Sequence, residues 1–238
     1  MLAVIGGSGF YSLGNVIDEM DVITPYGTVK VDKVKIGNGV VLFVPRHGKG
    51  HHVPPHKINY KDHIYALKKL GASAVIASYA TGGMSKYKPG DIVLLDDFLG
   101  FNTPITFYDS FSQGMKHVDF TEPFNRKLQA LVMKAAKSAK VSLKKGGIIA
   151  TMPGPRFETR AEIKALQKMG ANLVSMTCAY EVILAHELGI PFVGLATVTN
   201  LACGLSKKEI TTEEVMETLN RSKGKINSII VKLSALVH

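Results

Sequence analysis

The stretch PFVGLATVTNLACG, Pro191 to Gly204, is apolar or small almost throughout until it meets one amide, Asn200, and a small-residue loop. A short, nearly continuous apolar run bounded by turn residues is the pattern of a strand buried on both faces. Six further runs have the same form: LAVIGG from Leu2, VVLFVPRHG from Val40, AVIASYATGG from Ala74, DIVLLDDF from Asp91, GGIIATMPGPRF from Gly146 and ANLVSMT from Ala171. Each ends in a polar or glycine-bearing loop. Between them Lys57 to Leu70, Pro123 to Ala139, Arg160 to Met169 and Tyr180 to Leu188 carry helical spacing, and Thr212 to Leu236 reads as a long terminal amphipathic helix. Thr211 or Thr212 with Glu214 shortly after suggests a capped start to that last helix. This alternation predicts an α/β fold of three layers, a central mixed or largely parallel sheet flanked by helices, in one domain over residues 1–238. Ligands of such sheets bind beyond the carboxyl ends of the strands. The least regular segment, Gly100 to Thr121, reads as an excursion that packs against another subunit.

The chain has 238 residues, no apolar run long enough to span a bilayer and no charged-then-apolar leader, so a soluble, cytoplasmic protein is expected. Cys178 and Cys203 are too far apart for a CxxC motif and too few for a disulfide framework, and read as small core residues. The formal charge of +10 raises the question of polyanions. Its lysines are scattered pairs such as Lys68-Lys69 and Lys144-Lys145, without a basic stripe or interleaved aromatics, which argues against nucleic acid. A small anion such as phosphate needs only a few of these charges.

The strand ends offer donors for one. GGSG, Gly6 to Gly9, is either a tight turn or a loop whose amides and Ser8 hydroxyl converge on an anion. It is no dinucleotide fingerprint, since Ser12 stands where the third glycine belongs. PRHGKGHHVPPH, from Pro45, holds Arg46, His47, His51, His52 and His56. Its prolines and glycines forbid the regular helix that would align two histidines on a metal, so Arg46 and His47 are assigned as donors to an oxyanion. SYATGG, Ser78 to Gly83, and SMT, Ser175 to Thr177, are two more such ends. In GPRFETRAE, Gly154 to Glu162, Phe157 supplies a flat apolar face and Glu158 an acid. Thr159 with Glu162 makes a capping box, on which reading Glu158 is merely a solvated acid at a helix start.

In this order, VIGGSGFY, TPYG, RHGKGHHVPPHKINY, PGDIV, GPRFETRAEI, MTCAYEVILAHELGI and TVTN resemble the trimeric purine nucleoside phosphorylase superfamily, especially its methylthioadenosine phosphorylase branch, over nearly the whole chain. The resemblance implies a phosphorylase-type fold, a homotrimer or a pair of trimers, and reversible cleavage of a purine nucleoside by inorganic phosphate as co-substrate, with no metal or organic cofactor and no membrane. It assigns phosphate to Ser8, Arg46, His47, Tyr79, Ala80 and Thr177, with Tyr79 and Ala80 acting mainly through the backbone. Met176 is assigned under the ribose, and Phe157, Glu158 and Asn200, with Leu201 and Ala202, at the base. Thr212 and Met216 match the ribose 5′ end, which His51 and His117 also approach, the latter from a neighbouring subunit.

Two departures bear on substrate. The methylthioadenosine branch usually carries Asp-x-Asp where this chain has Asn200-Leu201-Ala202, and serine where it has Glu158. A 6-oxopurine presents an O6 acceptor and an N1-H donor, the reverse of adenine. An amide at Asn200 donates to O6 and accepts from a protonated N7, while Glu158 accepts N1-H and, in guanine, the 2-amino group. The same pair occurs in phosphorylases acting on inosine and guanosine. The expected activity is therefore phosphorolysis of 6-oxopurine nucleosides in purine salvage, with Asn200 as the catalytic group. 5′-Methylthioinosine and 5′-methylthioadenosine are the alternative substrates, and a nucleoside hydrolase or a non-catalytic nucleoside binder the competing classes.

Overall fold

The structure is a computed structural model and describes residues 1–112 and 114–237. Among the described residues there are nine strands: β1 Leu2–Gly6, β2 Asn15–Thr24, β3 Gly27–Ile36, β4 Gly39–Pro45, β5 Ala74–Gly83, β6 Ile92–Leu99, β7 Lys144–Thr151, β8 Leu173–Ser175 and β9 Phe192–Leu201. Five α-helices join them: α1 Tyr60–Lys69, α2 Arg126–Ser138, α3 Arg160–Lys168, α4 Cys178–Glu187 and α5 Thr212–Ser234. All seven apolar runs form strands and all five helical patterns form helices, with ends shifted by a few residues. The β2–β3 hairpin was not anticipated. Strand β2 is exposed along most of its length, so it lacks the apolar signature by which the others were found.

The sheet runs β2-β3-β4-β1-β5-β8-β7-β6-β9, and β9 returns to pair with β5. Strands β5, β8, β7, β6 and β9 thereby close a ring, while β2, β3, β4 and β1 extend from it as an open sheet. Strands β1, β4, β5 and β9 are mutually parallel through the β1–β4, β1–β5 and β5–β9 pairings, so their carboxyl ends lie at one edge. Strand β8 meets the end of β5 antiparallel, Gly82 opposite Val174. Helices α1 and α4 pack together against one side, and α2 and α5 against the other. Two apolar clusters, one around Ile64, Val75 and Val182 and one around Phe43, Val132 and Ile229, fill the spaces between the layers.

Local sequence explains the helix starts. Thr159 and Glu162 form the full capping box on α3, and Thr211 Oγ1 accepts from Glu214 N at the head of α5. Asn125 Oδ1 accepts from Leu128 N at 2.9 Å, satisfying one of the donors α2 leaves free in its first turn. Asn125→Ala is expected to lower the unfolding free energy by about 1 kcal/mol, read as a lower urea midpoint at unchanged slope.

Candidate active site

Loops from the parallel strand ends surround a cavity of about 270 Å³. Ser8 follows β1, Arg46 and His47 follow β4, Ala80 to Gly82 end β5, and Thr199 and Asn200 end β9. Val174 to Thr177 enter from β8, Phe157 and Glu158 from the turn before α3, Ala202 from the loop after β9, and Val215 from the first turns of α5.

At the phosphate-assigned end Arg46 is wholly buried. Its Nε and Nη2 donate to the two carboxylate oxygens of Glu181 at 2.6 and 2.8 Å, and Nη1 donates to Ser78 O at 2.8 Å. The guanidinium carbon lies 4.6 Å from the Tyr79 ring centre, and Tyr79 Oη donates to Glu181 Oε2. Burial alone would pull the Arg46 pKa down; the Glu181 carboxylate overcomes it and holds the guanidinium charged. Of five N–H groups three are committed, which leaves two for a ligand. Gly7 makes this packing feasible, because a Cβ there would stand 2.5 Å from Arg46 Nη1 and from Ser78 O. Thr177 is the N-cap of α4 without a side-chain capping bond, so its hydroxyl is available to an anion, as is the helix's amino end apart from Ala179 N, which donates to Thr151 Oγ1.

His47 Nδ1 lies 2.8 Å from the carbonyl of Val53. A carbonyl only accepts, so Nδ1 carries the ring proton. Burial, then Arg46, push the ring's pKa down to about 4, so His47 is neutral near pH 7 and Nε2 is a bare acceptor. A phosphate dianion beside the ring would oppose that shift, and a ring protonated there would offer Nε2 as the donor the assignment requires. His51 packs against it with ring centroids 4.4 Å apart and planes tilted by 41°, and has φ of +59°, a left-handed conformation uncommon for a side-chain-bearing residue.

At the base-assigned end Glu158 is only 7% exposed, and burial raises its pKa above the ordinary carboxylate value. It is not the solvated helix-start acid of the alternative reading, although the capping box beside it is real. Asn200 Nδ2 donates to Leu201 O at 2.9 Å, and Thr199 Oγ1 donates to Asn200 Oδ1 at 2.6 Å. These partners fix which end of the amide is nitrogen and leave one N–H and one lone pair. Consecutive residues of a regular strand point to opposite faces, yet Thr199 and Asn200 both line the cavity. The β5–β9 register slips between Thr81 and Gly82, where Thr81 pairs with Val198 and Gly82 with Asn200, so Thr199 is an extra residue in a bulge.

Ser8, Arg46, His47, His51, Ala80, Phe157, Glu158, Met176, Thr177, Asn200 and Ala202 are thus brought together. Five expected residues do not line the cavity. The Tyr79 side chain turns away onto Glu181, which fits an assignment through its backbone. Leu201 faces a separate cleft with Cys203 and Lys208. Thr212 is exposed and Met216 half-buried on α5, whose 100° per residue turn presents Val215 instead. His117 lies exposed against Phe111 in the irregular excursion. Cys178 is a core residue as expected, whereas Cys203 is half-buried at the lip of the second cleft. Sequence reasoning missed Glu181 as the partner of Arg46, along with Thr199, Pro55 and Val215. The polar alternation of TVTN was the one signal for Thr199. Among the described residues no group of three or more His, Cys, Asp or Glu could hold a metal ion, and no helix is long and apolar enough to cross a membrane.

The fold and this arrangement of strand ends belong to an enzyme class that comparison with known proteins identifies. Residues 1–235 match the family model described as Phosphorylase superfamily, and the chain belongs to that family. It is 40% identical to the 6-oxopurine nucleoside phosphorylase of Pyrococcus furiosus, covering 99% of this chain and 92% of that protein. It is 41% identical to a Methanopyrus kandleri protein named "Probable S-methyl-5'-thioinosine phosphorylase", over 96% and 90%. The methylthioadenosine phosphorylase of Schistosoma mansoni, solved with adenine, superposes with a TM-score of 0.91 at 30% identity, covering 99% of this chain and 91% of that one.

Glu181→Gln is expected to destabilise the fold by about 3–5 kcal/mol, because it leaves the buried guanidinium uncompensated. Replacing Arg46 and Glu181 together by Met and Leu should recover most of that loss in denaturant titrations while abolishing use of phosphate.

Proposed function

We propose that the protein is a purine nucleoside phosphorylase that cleaves 6-oxopurine nucleosides, inosine and guanosine, with inorganic phosphate to free base and ribose 1-phosphate. The observation that carries this is a buried carboxylate, Glu158, sharing one cavity with an amide, Asn200, whose orientation is locked by Thr199 and Leu201. Asn200 donates its free N–H to O6 and accepts a proton-bearing N7, while Glu158 accepts N1-H. Adenine would set its N1 lone pair against Glu158 and leave a buried charge unpaired, a mismatch worth factors of ~10⁴ or more in discrimination. The name of the Pyrococcus relative supports the same reading.

In this scheme Ser8, Arg46, His47, Thr177 and the backbone at Tyr79 and Ala80 hold phosphate beneath ribose C1′, with Met176 against the sugar and Phe157 against the base. The glycosidic bond loosens toward an oxocarbenium-like state whose positive charge the phosphate dianion stabilises. Asn200 stabilises negative charge developing on the departing purine. The scheme calls for neither metal nor organic cofactor. Its setting is cytoplasmic purine salvage, in a homotrimer or a pair of trimers. The exposed Phe101, Phe111, Met115 and Met169 support burial of that surface against other subunits.

Val215 favours a second reading. It brings an apolar side chain from the start of α5, the element assigned to the ribose 5′ group, which suits a methylthio substituent better than a hydroxyl and agrees with the name of the Methanopyrus relative. 5′-Methylthioinosine is then a substrate alongside inosine.

Initial rates with inosine, guanosine, adenosine, 5′-methylthioinosine and 5′-methylthioadenosine, each with and without phosphate, test both readings. Phosphate-dependent cleavage confined to the 6-oxo substrates is expected; fast cleavage of methylthioadenosine would overturn the base assignment. Asn200→Asp should cut inosine turnover by about 10²-fold or more and shift the remaining preference toward 6-aminopurines. Val215→Thr should lower kcat/KM for methylthioinosine relative to inosine by about 10-fold, the scale of one misplaced polar group in an apolar pocket.

A further inference from the structure

Phe157 and Glu158 stand in a segment with no regular structure to aim them. Residues 153–158 lie between β7 and α3, and among the described residues they make no backbone–backbone hydrogen bond. Nor, among the described residues, does either side chain have a ring contact or a hydrogen bond from another residue to hold it, although Glu158 is buried. Their direction comes from the backbone that carries them. That backbone needs an anchor of its own.

Glu162, in the first turn of α3, supplies it from both sides. Its Oε1 accepts from Arg156 Nη2 at 2.7 Å, and its Oε2 accepts from Arg156 Nη1 at 2.9 Å and from Thr159 N at 2.7 Å. Arg156 immediately precedes Phe157, and Thr159 immediately follows Glu158. One carboxylate therefore pins both ends of a four-residue loop whose two inner members line the cavity. Arg156 Nη1 also donates to Phe157 O at 3.0 Å, which fixes the peptide between those two members. The bonds from Arg156 and from Thr159 N hold the Glu162 carboxyl down to about 2, so it is ionised near pH 7. The helix beneath is seated, because Ile163 and Leu166 are buried in one apolar cluster with Val174 and Ala202 of the cavity wall. Resting on the reading of the cavity as a purine nucleoside site, we propose that Arg156 and Glu162 are positioning residues for the base. Their ion pair, outside the cavity, fixes the loop from which Phe157 and Glu158 meet the purine.

Geometry is what such a pair can supply, since an ion pair open to solvent adds little to global stability. The planar guanidinium fork meets both oxygens of Glu162 at once and so sets an orientation as well as a distance, which a lysine could not do. The capping bond is separable from it: Glu162 N donates to Thr159 Oγ1 without involving Arg156. A mis-aimed Glu158 does not cost all substrates equally. Guanine gives it two donors, N1-H and the 2-amino group, whereas hypoxanthine gives it one. Guanosine therefore depends more on the lock than inosine does. Phosphate, assigned to the ends of other strands, depends on it little.

Steady-state kinetics of four variants test this. Arg156→Gln is expected to lower kcat/KM by about 10²-fold for guanosine and about 10-fold for inosine, chiefly through the nucleoside KM, with the phosphate KM changed by less than about 2-fold. Glu162→Gln should give the same pattern, because glutamine still serves the capping box but cannot form the ionic fork. The double variant should lose no more than either single one. Arg156→Lys should recover part of the loss, a point charge standing in for the fork. Thr159→Ala is the control for stability: it weakens the start of α3 and should lower the urea midpoint while leaving both nucleoside KM values unchanged. Unchanged guanosine and inosine KM values in folded Arg156→Gln or Glu162→Gln would overturn the proposal. So would a Thr159→Ala variant whose guanosine KM rises as far as that of Arg156→Gln, since the effect would then follow the helix start and not the ion pair. Absence of phosphate-dependent cleavage of both nucleosides by the unaltered enzyme would instead overturn the reading of the site itself.

Discussion

A guanidinium removed from water must find a counter-charge and fixed acceptors within the protein, and Arg46 finds all of them at one point. Glu181 supplies the carboxylate from α4, Ser78 a carbonyl from β5, and Tyr79 a ring face and a hydroxyl for the carboxylate's second oxygen. The partners stand on β5 and α4 while Arg46 itself follows β4, so satisfying one side chain fixes the spacing of β4, β5 and α4. The start of α4 follows from that spacing, and with it Thr177. The phosphate end of the cavity is thus held before any ligand arrives, and a preorganised site has no reorganisation cost at the moment of reaction.

The base end is built by a different device. Ring closure from β5 through β8 and back to β9 brings three chain segments to one end of the cavity, and the bulge at Thr199 then turns two neighbouring side chains to the same side. Asn200 turns its amide to the cavity while Thr199 sets that amide. Gly82 belongs to the same design, since a Cβ there would press on Val174 at 3.1 Å, where β8 meets β5.

Much of this was legible in the sequence where the signal is local. The buried strands declared themselves by uninterrupted apolar runs, the helices by period and caps, and the ligand edge by four strand ends carrying donors. What stayed hidden depends on contacts between distant parts of the chain. Arg46 and Glu181 are 135 positions apart, and nothing around Glu181 distinguishes it from an ordinary helical acid. A bulge is a mismatch between two strands and leaves no mark on either alone. The tautomer of His47 depends on where one backbone carbonyl falls. The choice of Val215 over Thr212 and Met216 depends on the rotation of α5 about its axis, which an amphipathic pattern defines only to within a residue. Strand β2 escaped notice for the opposite reason, being too polar to read as a strand.

That last strand has a consequence for how the protein behaves in concentrated solution. Among the described residues every strand except β2 has a neighbour on both sides, so β2 exposes a row of unpaired amides and carbonyls onto which another chain could add. It carries Asp18, Glu19 and Asp21 close together, and its pairing with β3 is interrupted between Val16 and Asp18. Two copies meeting edge to edge would have to pair across an irregular template that carries the Asp21–Lys30 and Glu19–Lys49 ion pairs. The interrupted register and the charged groups along it discourage fibrous self-association at the edge that is open.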